Sequence, residues 1–358
     1  MKAYFLTVMI CGSMLLSLSA FGAVILVPTD QPTIAAAIAA ATIMDQIAIE
    51  PGTYTESGLV ITQDLTISAQ NWGDPADHII QADVTAGTAT DRIFSVTSGR
   101  VTLRGLTIRH GNVVGDGGAV LCSGAATILS VSNCVFVDNI AVAGAGGAVY
   151  SDQAVSDFWQ CDIFGNTAAG GGGGVYMIGG STNFSQNTVS GNLAADGGGM
   201  YFFDCAAWTT NCTVSANTAT GNGGGISFNF SAPGIDSYTT NSTVSGNNAN
   251  QGGGISVDIA AASTATLRHL TVASNVAGND GGGIIAGGAA APDLQACIIA
   301  NNNAPMDVDI SGTVNSLDYN LIEDITGATI TGVTTNNITG GDPNIGPLAD
   351  NGGSTMTH

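Results

Sequence analysis

Gly117-Gly-Ala-Val-Leu121, Gly146-Gly-Ala-Val-Tyr150, Gly172-Gly-Gly-Val-Tyr176, Gly197-Gly-Gly-Met-Tyr201, Gly223-Gly-Gly-Ile-Ser227, Gly252-Gly-Gly-Ile-Ser256 and Gly281-Gly-Gly-Ile-Ile285 are one motif written seven times. Their first glycines step by 29, 26, 25, 26, 29 and 29 residues, and self-similarity at such a period marks a repeat architecture. An asparagine stands five to seven residues ahead of each: Asn112, Asn139, Asn166, Asn192, Asn217, Asn247 and Asn275, with Asn301 opening an eighth turn that lacks the glycines. Before the asparagines run short alternating stretches such as Asn211-Cys-Thr-Val-Ser-Ala-Asn217. A period of two, with Val on one face and Thr and Ser on the other, describes a half-buried strand.

A unit this small cannot bury its apolar face alone and needs equivalent neighbours above and below it. The expected fold is therefore all-β: a right-handed parallel β-helix of 25–30-residue coils. Stacked strands lie ~4.8 Å apart, so Asn139, Asn166, Asn192, Asn217, Asn247 and Asn275 fall over one another and their amides can bond in a ladder at one turn. The glycines serve the other corner, where positive φ and close backbone approach exclude a side chain. A leucine-rich repeat would show regular leucines, and a propeller blade would be longer, ~40 residues with four strands. Cys134, Cys161, Cys212 and Cys297 precede their asparagines by four or five residues, where other coils carry Leu106, Asn187, Ser242 and Leu270. The spacing reads as one interior stack of small buried side chains, with cystines between coils as the alternative and no zinc pattern.

Apolar residues make up 44% of the chain although Gly contributes 51 of 358, which excludes a disordered glycine-rich linker. Twenty-seven acids against six bases give a net charge of -21, and the only lysine is Lys2. Nucleic acid and acidic polysaccharide are poor partners for such a surface, because phosphate and uronate binding need clustered cations. Neutral glycans and host or cell-surface proteins stay open as partners. Residues 1–22 read as a signal peptide: Lys2, an apolar run from Phe5 to Leu18, and a small-x-small exit at Ala20-Phe21-Gly22. The mature chain is thus expected to be exported, extracellular or associated with the cell surface or outer membrane, without a span of its own, and monomeric.

Residues 23–56 suit an N-terminal cap, with Asp30 as helix N-cap, Pro32 in the first turn, and Ile34 and Ile38 on one face of an alanine-rich helix. This short capping helix, the strand Ile47-Ala-Ile-Glu50 and the turn Pro51-Gly-Thr-Tyr-Thr-Glu56 resemble the cap of bacterial pectin-lyase-fold repeat proteins. Residues 57–316 are expected to form the β-helix itself, and from Val101-Thr-Leu-Arg-Gly-Leu-Thr-Ile108 onward its coils resemble the repeats of polymorphic outer-membrane proteins, which pair a Gly-Gly-Ala-Ile-like segment with Phe-x-x-Asn. Phe136-Val-Asp-Asn139 matches that element, while most later coils carry Val in place of Phe. Residues 317–358, with Asp318-Tyr-Asn-Leu-Ile322 and the stretch from Asp342 to His358, resemble the choice-of-anchor module of exported bacterial repeat proteins. In that family the chain continues past the Thr-His, so the resemblance implies an anchor beyond His358. Together these resemblances imply a surface-displayed, adhesin-like structural protein.

No catalytic residues are assigned. A polysaccharide lyase of the pectin-lyase-like fold would need carboxylates around calcium and a basic residue; Arg100, Arg104 and Arg109 cluster without neighbouring aspartates, and Arg268 stands alone. A glycosidase would need two carboxylates ~5–9 Å apart. Asp307 and Asp309 have the spacing for one strand face but follow Pro305, which favours an irregular turn. His78, His110, His269 and His358 form no metal spacing. Calcium between the turn aspartates Asp116, Asp138, Asp196 and Asp280 is a possible cofactor; no other is implied, and the metal question stays open. One surface reading is sharper. The fifth residue of each glycine motif points outward, so Tyr150, Tyr176 and Tyr201 should stack on successive coils, where they either stiffen the sheet or receive sugar rings face-on.

Overall fold

The coil that begins at Val175 shows how the repeat is spent. Val175–Ile178 and Ser181–Ser185 lie in succession on a broad sheet, Thr188–Ser190 on a second sheet and Leu193–Ala194 on a third. Each strand pairs in parallel with its equivalent one coil on: Tyr176 with Tyr201, Phe184 with Thr209, Val189 with Val214 and, on the third sheet, Leu193 with Thr218. The computed structural model describes residues 22–358, so the leader-like residues 1–21 lie outside it. Over those residues the chain winds a right-handed parallel β-solenoid of about 10 turns, about 27 residues per coil, with sheets of 22, 12 and 7 strands.

Alternation decides which side chains fill the interior. The fourth residue of every glycine motif, Val120, Val149, Val175, Met200, Ile226, Ile255 and Ile284, is fully buried. Phe158 and Phe184 stack inside with centroids 4.6 Å apart and planes 2° from parallel. The corner from the broad sheet to the second sheet is turned by single left-handed residues: Asn133, Gln160, Gln186, Asn211, Asn241, His269 and Ala296, with φ between 47° and 59°. At the glycine corner the constraint is space. A Cβ on Gly198 would run into the carbonyls of Gly224 and Thr218.

The N-terminal end is closed by the helix Ile34–Ala40, which buries Ile34 and Ala37 and packs Ile38 against the first coils. Its N-cap is Thr33, whose hydroxyl accepts the Ala36 N–H at 3.0 Å, and not Asp30. Asp30 sits three residues too early and accepts the Leu26 N–H instead. Glu56 reaches up to accept the Ile34 and Ala35 N–H groups at 2.8 and 2.9 Å, tying the helix start to the coil beneath.

The stack does not stop at residue 316. Ile310–Leu317 pairs with Ala328–Val333 on the broad sheet, and Leu321–Ile322 pairs with Ile338–Thr339 on the second. The chain then turns back along the rod. Thr213 Oγ1 donates to the Met356 carbonyl at 2.6 Å, Thr355 Oγ1 donates to the Asn211 carbonyl at 3.2 Å, and His358 Nε2 lies 2.7 Å from Ser245 Oγ. This segment rests on outward-facing Thr213, Ser215, Thr243 and Ser245, all buried. Among the described residues no helix is long and apolar enough to cross a membrane.

Candidate functional site

Two ladders hold the turns. Asn139, Asn166, Asn192, Asn217, Asn247 and Asn275 are fully buried, and each repeats one bonding pattern. The Asn217 side-chain oxygen accepts both the backbone N–H and the side-chain amide of Asn192, at 3.0 and 2.9 Å. Asn217 Nδ2 donates in turn to the Val189 carbonyl and to Asn247 Oδ1, both at 3.0 Å. Two asparagines of the sequence pattern fall outside the ladder. Asn112 pairs with Ile140, one position too late; the ladder position is Gly111, which gives its N–H to Asn139 but has no amide to continue. At the other end the member is Asn302, while Asn301 is a left-handed residue beside it.

The cysteine positions form the second ladder. Cys161 N–H donates to Asn187 Oδ1, Asn187 N–H to Cys212 Sγ, and Cys212 N–H to Ser242 Oγ. Cys161, Cys212 and Ser242 also donate back to the carbonyl two residues earlier. Cys, Asn and Ser interchange here because each places a small acceptor over the coil below. Cys122, Cys134, Cys161, Cys205, Cys212 and Cys297 are all buried free thiols. Burial pushes Cys134 and Cys205 up to about 12 and Cys297 to about 11, so these groups are unreactive thiols at neutral pH.

On the outside, Tyr150, Tyr176 and Tyr201 stand in register. Their ring centroids are 5.3 and 4.9 Å apart, with planes 5° from parallel in both pairs. Such stacking uses up the faces. Only ring edges, hydroxyls and the outermost faces of the column stay available, so a sugar cannot lie face-on against Tyr176. A Cβ on Gly171 would press on the ring edges of Tyr176 and Tyr201, and Tyr201 Oη accepts from Asn229 Nδ2 at 3.2 Å. Burial raises all three phenols above their ordinary range.

A different arrangement occurs nearer the N-terminus. Later coils turn the corner between the first two sheets in two residues, but one early coil spends residues 70–77 there, between Leu65–Ala69 and His78–Gln81. This loop holds Asn71 and Trp72 both left-handed, at φ 54° and 61°, a conformation that costs an L-residue about 1–2 kcal/mol. Trp72 is 74% exposed, and the guanidinium carbon of Arg104 lies 3.1 Å from its ring centroid. The loop rests on His78, whose Nδ1 lies 2.8 Å from the Asp74 carbonyl; a Cβ on Gly73 would strike that imidazole. Along the sheet, Arg104, Ser132 and Trp159 occupy one column on three successive rungs. Ser132 is the short member of the three, and the Trp159 indole beyond it is 46% exposed. Beside this column lies a groove of about 610 Å³, lined by Gln46, Thr66, Thr102, Asn133 and Gln160 with the two tryptophans and Arg104.

A family model described as "Right handed beta helix region" matches residues 92–278, just over half of the chain. The chain belongs to that family. No curated protein matches it.

In this β-helix the remaining candidates are dispersed. Asp307 and Asp309 do not face one space: Asp307 is left-handed and accepts from Ser311 Oγ at 2.8 Å. Asp309 is fully buried, where it ends the asparagine ladder by accepting Asn302 Nδ2 at 2.8 Å and receives the Asp324 N–H at 2.9 Å. Burial raises its carboxyl above the usual range. Of the turn aspartates, Asp116 and Asp196 each take a backbone N–H from the next coil, of Ala145 at 2.8 Å and of Asn222 at 2.7 Å. Asp280 accepts from Gln251. Among the described residues no three His, Cys, Asp or Glu side chains come together as a metal cluster. Arg109 is bound to Gln81 Oε1 through Nε and Nη2, and Arg92 to the carbonyls of Asp116 and Gly117.

The two tryptophans were invisible to motif reading. Trp72 belongs to the one corner that does not repeat, and Trp159 stands where neighbouring coils carry serine.

Proposed function

We propose that this chain is an exported, non-catalytic rod that serves as a structural, adhesin-like module at the cell surface. One observation carries the reading: the unbroken asparagine ladder from Asn139 to Asn302, whose side chains bond from coil to coil along most of the stack. A repeat whose most regular polar residues are spent on joining coils is suited to holding length and presenting a surface. Export rests on the leader-like residues 1–22, and surface display on the resemblance of the last segment to anchor modules.

The test is protease shaving of intact cells that make the full chain, followed by fractionation. The proposal expects the rod to be labelled or cut from outside while a cytoplasmic control stays intact. Recovery only after lysis would contradict it. Release of new reducing ends or unsaturated products from polysaccharides by the purified chain would replace the structural role with an enzymatic one.

A further inference from the structure

All three tryptophans of the chain project on the outer side of the broad sheet or on the loop beside it: Trp72, Trp159 and Trp208, the last two rungs beyond Asp157. They are 74%, 46% and 41% exposed. Single exposed apolar residues need no explanation. Two indoles facing a common groove, one of them carried there by a non-repeating loop in left-handed backbone, do.

We propose that the groove between Trp72, Arg104 and Trp159 binds a short run of a neutral glycan. Arg104 and Trp159 are two rungs apart, ~10 Å, and both line the groove, which leaves room for a pyranose ring between them. Pyranose rings carry flat C–H faces and a rim of hydroxyls. An indole is the largest flat apolar surface available to the first, and unlike Tyr176 neither tryptophan is sandwiched between like rings. The rim of hydroxyls needs both donors and acceptors, which the amides and hydroxyls of Gln46, Asn133, Gln160, Thr66 and Thr102 provide. Charge selects the class of sugar. Among the described residues no carboxylate lines the groove and Arg104 is its one cation, lying against the Trp72 ring. Around them is a chain of net charge -21, which repels uronate and sulfated polymers. The site does not depend on where the rod is displayed, so it stands or falls separately from the surface role.

The test uses the purified full chain, read by tryptophan emission and by titration calorimetry against cellohexaose, xylohexaose, mannohexaose and hexagalacturonate. At least one neutral hexaose is expected to shift the emission and bind, and hexagalacturonate is not. Trp72→Ala and Trp159→Ala should each weaken the binding by about tenfold, the size expected for losing one aromatic platform. Trp159→Phe should recover part of it, while Trp208→Ala and Tyr176→Ala should leave it unchanged. Thermal melts accompany every variant; if Trp159→Ala does not fold, Trp72→Ala in the loop and Trp159→Phe decide. Failure of all three neutral hexaoses to bind, tighter binding of hexagalacturonate, wild-type affinity in Trp72→Ala, or an equal loss in Trp208→Ala would each overturn the proposal.

Discussion

The tyrosine column and the tryptophan groove are built on the same sheet from the same outward alternation, yet one is closed and the other open. Tyr150, Tyr176 and Tyr201 follow one another without a break, so each ring spends its face on its neighbour. In the column through Arg104 and Trp159 the rung between them carries Ser132, and Trp159, with no aromatic partner on that rung, is 46% exposed. Perfect repetition therefore stiffens a β-helix, and a departure from it creates a surface. The interior repeats the first arrangement: Phe158 and Phe184 stack as closely as the tyrosines but under full burial.

That parallel can be broken from both sides. Phe184→Ala should cost about 3–5 kcal/mol in a denaturant titration, because it removes a fully buried ring and leaves a cavity. Tyr176→Ala removes the middle of a half-exposed stack and should cost about 2 kcal/mol, the sum of two ring contacts and partial burial. Similar losses for both would mean that burial does not separate the two stacks. Ser132→Tyr would turn the open column into a closed one. It should lower glycan affinity about tenfold, by crowding the space between Arg104 and Trp159, with a stability change of under about 1 kcal/mol, as expected for an outward site.

The smallest effect at ordinary pH concerns the thiols. Burial raises Cys122, Cys134 and Cys205 to about 12 and Cys212 and Cys297 to about 11 in the folded chain. A raised folded pKa favours the native state fully below the unfolded thiol value, ~8.5, and loses that contribution as pH climbs toward the folded value. The denaturation midpoint should thus show no thiol-linked change from pH 6 to 8 and fall between pH 9 and about 12. A variant with these cysteines replaced by alanine or serine should fall less steeply, and an identical slope would remove the thiols as the cause.

The fold was legible in the sequence because the glycine motif and the asparagine sit at nearly constant separation, and both answer to single physical needs: no Cβ at one corner and a side-chain amide at the other. Legibility failed where the repeat ends. Asn112 and Asn301 have the right spacing to their glycines or to the preceding coil, but the ladder passes through Gly111 and Asn302; only the register of paired strands separates neighbours one residue apart. Thr33 was hidden behind Asp30 for a similar reason, since both are good caps and the helix start differs by three residues. The groove draws on residues 46, 66, 68, 69, 71–73, 102, 104, 105, 133, 159 and 160, spread over several coils of unequal length. No spacing in the chain announces that they meet. The cysteine column, by contrast, was visible as a position, and the structure adds that from Cys161 to Ser242 its members also bond from coil to coil, whereas Leu106 and Leu270 fill the same position by burial alone.

How much the asparagine ladder holds the turns together shows in Asn217→Ala set beside Asn112→Ala in one denaturant series. Asn217→Ala strips acceptors from the Asn192 backbone and side-chain amides and the donor from the Val189 carbonyl inside the fully buried turn. Its loss should be about 3 kcal/mol or more, the cost of leaving several buried polar groups unpaired. Asn112→Ala, at the half-buried position beside the ladder, should lose about 1 kcal/mol or less. Equal losses, or a larger loss at Asn112, would contradict the account.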